Sequence, residues 1–230
     1  MKPIYIPKGR AKEYGDYALN IYTGCPHRCF YCFAPNVLRK DRETFHSDVK
    51  PRKDIVNEIA RQIAREGITG KLIHMCFSCD PYPKGYDTAA TREIIKLLKD
   101  SGNHVQILTK GDGSRDFDLL GEGDLYGITI TGAKHDEQEP QSLNDSERLK
   151  IMYSAPCSKW ISFEPVIDAE YVLQMLEIVE NDIRVKIGKL NYWPSDIDWK
   201  VFGLKAEEIC KERNLKYYIK SNLKEEMERR

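Results

Sequence analysis

Tyr17-Ala18-Leu19-Asn20-Ile21-Tyr22-Thr23-Gly24-Cys25-Pro26-His27-Arg28-Cys29-Phe30-Tyr31-Cys32-Phe33-Ala34-Pro35 carries a short apolar, partly β-branched segment straight into three cysteines spaced CxxxCxxC. Residues 17–22 read as a strand, so the thiols fall on the loop at its carboxyl end. Three thiolates on one short loop suit a metal cluster. A cubane iron-sulfur cluster normally takes four cysteines, and a loop that offers three leaves one iron open to another ligand. Gly24 lets the backbone approach such a cluster, Pro26 stiffens the turn, and Phe30, Tyr31 and Phe33 can exclude water. A structural zinc would ask for four ligands, usually in two spaced pairs, with His27 too close in sequence to serve easily as the fourth. A disulfide scaffold fits poorly with seven cysteines, an odd number, and no secretory signal.

Outward from this loop the chain alternates. Residues 54–66 place Ile55, Ile59 and Ile63 at i, i+4 and i+8 with charges between them, an amphipathic helix closed by Gly67. Further strands are expected at 71–79, 104–109, 125–131, 159–165 and 184–191, and further helices at 88–100, 115–120, 146–153, 169–180 and 204–213. Six strands, each followed by a helix, predict an α/β chain with a parallel sheet, because parallel neighbours need crossovers. The pattern fits a partial barrel of six βα units or an open doubly wound sheet. Residues 1–16, rich in Pro, Gly and basic side chains, read as an irregular lead-in draped over a domain at 17–221. Residues 216–220 read as a small terminal strand, and 222–230 as a charged, helix-prone tail.

At 230 residues, 41% apolar and 31% charged, the chain can bury one substantial core. Its start lacks the features of an export signal and no apolar run reaches membrane length, so a cytoplasmic protein without a membrane partner is expected. Net charge is zero, yet residues 1–53 hold 11 Lys/Arg against 5 Asp/Glu, a basic bias around the cysteine loop that would suit a phosphate-bearing substrate or simply a solvated face.

The expected strand ends are unusually polar. The second finishes Cys76-Phe77-Ser78-Cys79-Asp80, where alternation would put Cys76, Ser78 and Asp80 on one face and Cys79 on the other. The third ends at Thr109-Lys110. The fourth carries Thr129 and Thr131 on one face, and the fifth carries Ser162 and Glu164, for which Lys189 on the sixth is the expected partner. Polar groups at the carboxyl ends of several parallel strands predict one shared pocket.

CxxxCxxC with an aromatic before the last cysteine resembles the signature of the radical S-adenosylmethionine (radical SAM) superfamily. Asn20 to Cys25 with Cys32-Phe33-Ala34, Asp80-Pro81-Tyr82 with Ile107-Leu108-Thr109-Lys110, and Ser162-Phe163-Glu164-Pro165 are similar to the spore photoproduct lyase-like branch and its short, phage-type relatives. The resemblance implies a partial (βα)6 TIM-like barrel and a 4Fe-4S cluster held by Cys25, Cys29 and Cys32. It implies S-adenosylmethionine on the open iron, with Lys110 at its carboxylate, Ser78, Asp80 and Thr129 at its ribose or amino end, and Tyr31 beside its adenine. Thr131, Ser162 and Glu164 complete the candidate cofactor-binding set, and Cys76 is the candidate catalytic hydrogen-atom donor. The implied chemistry is reductive cleavage to a 5′-deoxyadenosyl radical that abstracts hydrogen, with a reductant such as flavodoxin or ferredoxin and a nucleic acid or nucleotide as candidate substrate. A long carboxyl-terminal extension of the kind that grips a DNA lesion is not expected here. Two readings compete: a noncatalytic iron-sulfur electron-transfer or redox-sensing protein, which has no use for Lys110 or Thr129, and a zinc-supported nucleic-acid-binding module.

Overall fold

The computed structural model describes residues 2–229. A 3-10 turn at Gly9–Glu13 leads into β1 (Tyr17–Leu19), which is followed by α1 (Ala34–Leu38), α2 (Arg42–Ser47) and α3 (Ile55–Glu66). Then come β2 (Leu72–Met75), α4 (Ala89–Asp100), β3 (His104–Thr109), a 3-10 turn at Ser114–Leu119, β4 (Leu125–Thr129), α5 (His135–Gln138) and α6 (Asp145–Ser154). The chain closes with β5 (Ser158–Phe163), α7 (Ala169–Ile178), β6 (Arg184–Ile187), α8 (Trp199–Glu212), β7 (Lys216–Ile219) and α9 (Ser221–Glu228).

The strands form one seven-stranded, all-parallel sheet in the order β1 to β7. A doubly wound sheet reverses direction at a switch point; this one never does, so it curls one way into a partial barrel with β1 and β7 as its edges. The six expected βα units are present, and β7 adds a seventh strand paired along β6.

Local chemistry sets the boundaries. In α3, Ile55 and Ile59 turn inward and Gly67 ends the helix at φ +60°. Asn144 and Glu147 form a reciprocal capping box on α6, while Asp168 caps α7. Asp198 accepts from the Val201 backbone N–H at 3.0 Å and starts α8 at Trp199, earlier than the expected residue 204. Between the cysteine loop and α3 the chain also forms α1 and α2, two short helices that the sequence periodicity does not predict. The second strand stops at Met75 because Cys76 takes φ +73°, so the alternation expected through Asp80 does not continue.

Ile73, Val105, Ile107, Ile128, Ile161, Val185 and Ile187 are fully buried, as a sheet covered on both faces requires. Buried His74, Gln106, Ser162 and Lys186 interrupt this apolar pattern. They meet the lead-in, which is built into the core rather than draped over it. Gln106 donates to the Tyr14 carbonyl at 2.8 Å and Lys186 to that of Glu13 at 2.6 Å. The Tyr14 ring packs 5.4 Å from His74, 5.6 Å from Phe77 and 6.0 Å from Trp160 between ring centroids. Gly127 makes room for Trp160, since a Cβ there would come within 2.2 Å of the indole. The expected lead-in and tail include Met1 and Arg230, which lie outside the described residues.

Candidate active site

Beyond β1 the cysteine loop is held mainly through its backbone. A Cβ at Gly24 would lie 2.1 Å from the Phe45 carbonyl oxygen, so only glycine permits this approach of the loop to α2. The Cys25 N–H donates to that same oxygen at 3.2 Å, and His46 Nδ1 bonds the Cys25 carbonyl at 2.7 Å. The Arg42 guanidinium donates to the carbonyls of Cys29 at 2.6 Å, Phe30 at 2.7 Å and Cys32 at 3.2 Å. One cation thus gathers three carbonyls within four residues of the loop.

Burial pushes all three thiols up, Cys29 to about 12, and Asp80, Cys29 and Cys32 add repulsion at Cys25. Buried thiolates that repel one another need a shared cation, which is what a cluster supplies, so the residues present fit the group. Among the described residues no three His, Cys, Asp or Glu side chains form a group that could hold a single metal ion. A cubane asks something different, one thiolate on each of three irons.

His27 is buried and its pKa falls to about 4, chiefly because burial disfavours the charged ring. Its Nε2 accepts from the Lys84 N–H at 3.3 Å, so the neutral ring's proton sits on Nδ1, 3.5 Å from Asp80 Oδ2. Asp80 also accepts from Thr109 Oγ1 at 2.5 Å, the Tyr82 N–H at 2.8 Å and the Lys110 N–H at 2.9 Å. It is therefore a brace joining the ends of β2 and β3 to the loop. Asn20 holds the turn after β2, accepting from the N–H groups of Phe77 at 2.8 Å and Ser78 at 2.9 Å. The Ser78 hydroxyl is buried without a partner among the described residues.

The Lys110 ammonium stands 5.4 Å from the centroid of the Tyr31 ring and makes no hydrogen bond or ion pair among the described residues. The Tyr31 hydroxyl donates to Glu139, which also pairs with Arg148 and accepts from Thr131 Oγ1 at 3.0 Å. Burial would raise the Glu139 pKa, but the charges of Lys110 and Arg148 and the hydrogen bonds of Tyr31 and Arg148 outweigh it and bring it to about 2. A cavity of about 260 Å³ borders this network, lined in part by Gly132, His135, Glu139, Asp145, Arg148 and Tyr171.

The sequence candidates thus separate into groups. Cys25, Cys29, Cys32, Tyr31, Asp80, Lys110 and Thr131 are linked around the loop. Ser162 and Glu164 instead bond the Tyr14 hydroxyl, at 3.2 Å from Ser162 Oγ and 2.5 Å from Glu164 Oε2, and Lys220 at the end of β7 donates to Glu164 at 2.5 Å. Lys220 is the Glu164 partner, not Lys189, which pairs with Glu226 of α9. Thr129 lies at the end of β4 beside Ser162 in register. Cys76 is buried, and its positive φ turns the chain so that the residues after it leave the strand alternation expected of them. Glu139, Arg148, Arg42 and Tyr14 escaped the sequence reading, and Asn20 entered it only as part of a motif, without a role.

A family model described as the radical SAM superfamily matches residues 19–179. The chain belongs to the radical SAM superfamily. Membership implies a 4Fe-4S cluster and S-adenosylmethionine (AdoMet). Among its relatives, an uncharacterized protein of Methanocaldococcus jannaschii is 27% identical over 99% of this chain and 82% of its own length. An uncharacterized protein of Acidianus two-tailed virus is 28% identical over 67% of this chain, and the match spans 56% of the viral protein's length. In fold the radical SAM chain is similar to a spore photoproduct lyase variant solved with bound AdoMet and dinucleoside spore photoproduct. That likeness has a TM-score of 0.67 at 12% identity and covers 94% of this chain and 79% of that one. It is also similar to Streptococcus suis SuiB bound to S-adenosylmethionine, with a TM-score of 0.60 at 15% identity over 88% and 50% of the two chains. No helix among the described residues is long and apolar enough to cross a membrane.

Proposed function

We propose that Cys25, Cys29 and Cys32 hold the 4Fe-4S cluster and that the neighbouring strand ends bind AdoMet for radical attack on a nucleotide or nucleic acid. The observation that carries this reading is the Lys110 ammonium, unpaired among the described residues, over the Tyr31 ring of a cysteine loop whose backbone carbonyls Arg42 gathers. When bound, the cluster and AdoMet supply one electron and a 5′-deoxyadenosyl radical that removes a hydrogen atom from the substrate.

The chain's own residues do the positioning. Lys110 offers its charge to the methionyl carboxylate. Ser78 offers a buried hydroxyl with no other partner, and Thr129 a second hydroxyl across the barrel. Asp80, which accepts three hydrogen bonds and lies 3.5 Å from His27, holds β2, β3 and the loop at fixed spacing and so acts as a positioning residue. Tyr31, tethered to Glu139, walls the site and excludes water. Cys76 returns a hydrogen atom to the product radical. The spore photoproduct lyase neighbour solved with a dinucleoside and the basic bias of residues 1–53 support the nucleotide reading.

Lys110→Ala tests the cofactor site. AdoMet added to the reduced, reconstituted protein should change its cluster's electron paramagnetic resonance signal. The variant should need roughly tenfold more AdoMet or greater for the same change, the equivalent of about 1.4 kcal/mol. An unchanged titration would remove Lys110 from the site.

A further inference from the structure

The loop after β6 presents two successive aromatics outward. Among the described residues Tyr192 is the most exposed large apolar side chain, at 78%, and Trp193 beside it is 43% exposed. One exposed ring is ordinary, but two adjacent rings that are also held in place ask for a reason. Tyr192 takes φ +68°, a left-handed conformation disfavoured for a bulky side chain, so the contacts around it must keep it there. Asn191 supplies the anchor, accepting from Arg10 and from Asn222 of α9, each at 2.9 Å, and donating to the Lys189 carbonyl at 2.9 Å. The Arg10 guanidinium also donates to the Tyr192 hydroxyl and lies 5.1 Å from the ring centroid. Trp193 meets Phe30 of the cysteine loop edge-on, with centroids 5.5 Å apart. Charge here favours an anion: Lys8, Arg10 and Lys12 are exposed and form no ion pair among the described residues, and residues 2–12 hold no Asp or Glu. Asp196 and Asp198 follow on the aromatic loop, the second engaged in capping α8.

We propose that Tyr192, Trp193 and Arg10 form a stacking platform for single-stranded nucleic acid, an inference that rests on the nucleotide or nucleic-acid reading of the substrate. Unpaired bases offer flat faces to the two rings, and the phosphates that link them meet the basic lead-in. Such stacking tolerates any sequence, because every base has a π-face. A duplex keeps its bases stacked on one another and offers the rings only its ends. Through Phe30 the platform adjoins the loop of Cys25, Cys29 and Cys32, which lays a bound strand alongside the site proposed for the radical.

The test is fluorescence anisotropy of a fluorescein-labelled oligothymidylate of about twelve nucleotides, within the span of one single-strand site. It is titrated with the reconstituted protein, without AdoMet or reductant, and a duplex of equal length serves as comparator. The single strand should bind more tightly than the duplex. Trp193→Ala and Tyr192→Ala should each raise its Kd at least roughly fivefold, the lower end of what one stacked base contributes, and Trp193→Phe should stay within about twofold of wild type. Arg10→Ala and Lys12→Ala should each shallow the dependence of log Kd on log salt by about 0.7, the share of one phosphate contact on a single strand. Lys12 has no hydrogen bond or ion pair to lose among the described residues, so its variant tests the platform even where a ring variant fails to fold. A duplex bound as tightly as the single strand, or alanine variants that match the wild type, would overturn the platform; the second result leaves a nucleic-acid substrate standing. No binding by the wild type would overturn the platform together with the nucleic-acid reading, while AdoMet cleavage, which this titration does not use, keeps its own test.

Discussion

Glu139 shows how much one buried side chain can carry at the edge of this site. It anchors the Tyr31 hydroxyl, the Arg148 guanidinium and the Thr131 hydroxyl at once. Its pKa falls from 4.5 to about 2 on folding, so its contribution is fully present above pH 4.5 and is lost as pH drops toward 2. Glu139→Gln removes the closer of the two carboxylates that face buried Arg148, leaving Asp145 at 3.2 Å, and should cost up to roughly 3–5 kcal/mol in urea unfolding at pH 7. The gap to wild type should narrow as pH falls between these two values; a gap constant across that range would show that the charge of Glu139 is not what stabilises the fold. Tyr14→Phe is a second residue-scale case. Losing the phenol leaves Glu164 and Ser162 each short of a buried partner and should cost roughly 1–3 kcal/mol, measurable by the same unfolding.

At the scale of elements, Gly24 decides whether the loop can sit against α2. Gly24→Ala places a methyl 2.1 Å from the Phe45 oxygen and must push the loop outward, with the Cys25 backbone bond to Phe45. The variant should keep its far-ultraviolet circular dichroism yet bind clearly less iron per chain after reconstitution; full iron content would contradict the role given to this contact. The loop and its strand were legible because spacing and residue type are properties of the sequence itself. The alternation expected through Asp80 failed because it presumes continuous strand geometry, and a positive φ at a non-glycine residue such as Cys76 leaves no compositional mark. Short α1 and α2 were missed for a related reason: five and six residues are too few to show a helical period. Glu164 was correctly expected to need a partner, but Lys220 arrives from β7, far along the chain, while Lys189 was nearer in sequence.

For the molecule as a whole, repetition made the architecture readable. Each βα unit carries its own periodic signal, and the sequential order of the sheet follows when every strand pairs with the one before. The inserted lead-in was not readable, because Tyr14 reaches His74, Trp160 and Glu164 only after the barrel has formed. Strands buried on both faces make the sheet a single cooperative unit, so Ile161→Ala should cost roughly 2–5 kcal/mol and shift the whole unfolding transition without splitting it. The curl of the sheet lays the loop and the strand ends where Lys110, Ser78 and Thr129 are proposed to meet AdoMet. The direct test is anaerobic reconstitution with iron and sulfide, reduction, addition of AdoMet and quantification of 5′-deoxyadenosine. Release by the wild type, abolished in Cys25→Ala, Cys29→Ala and Cys32→Ala, is the predicted result; an intact, reduced cluster that yields no 5′-deoxyadenosine would contradict it.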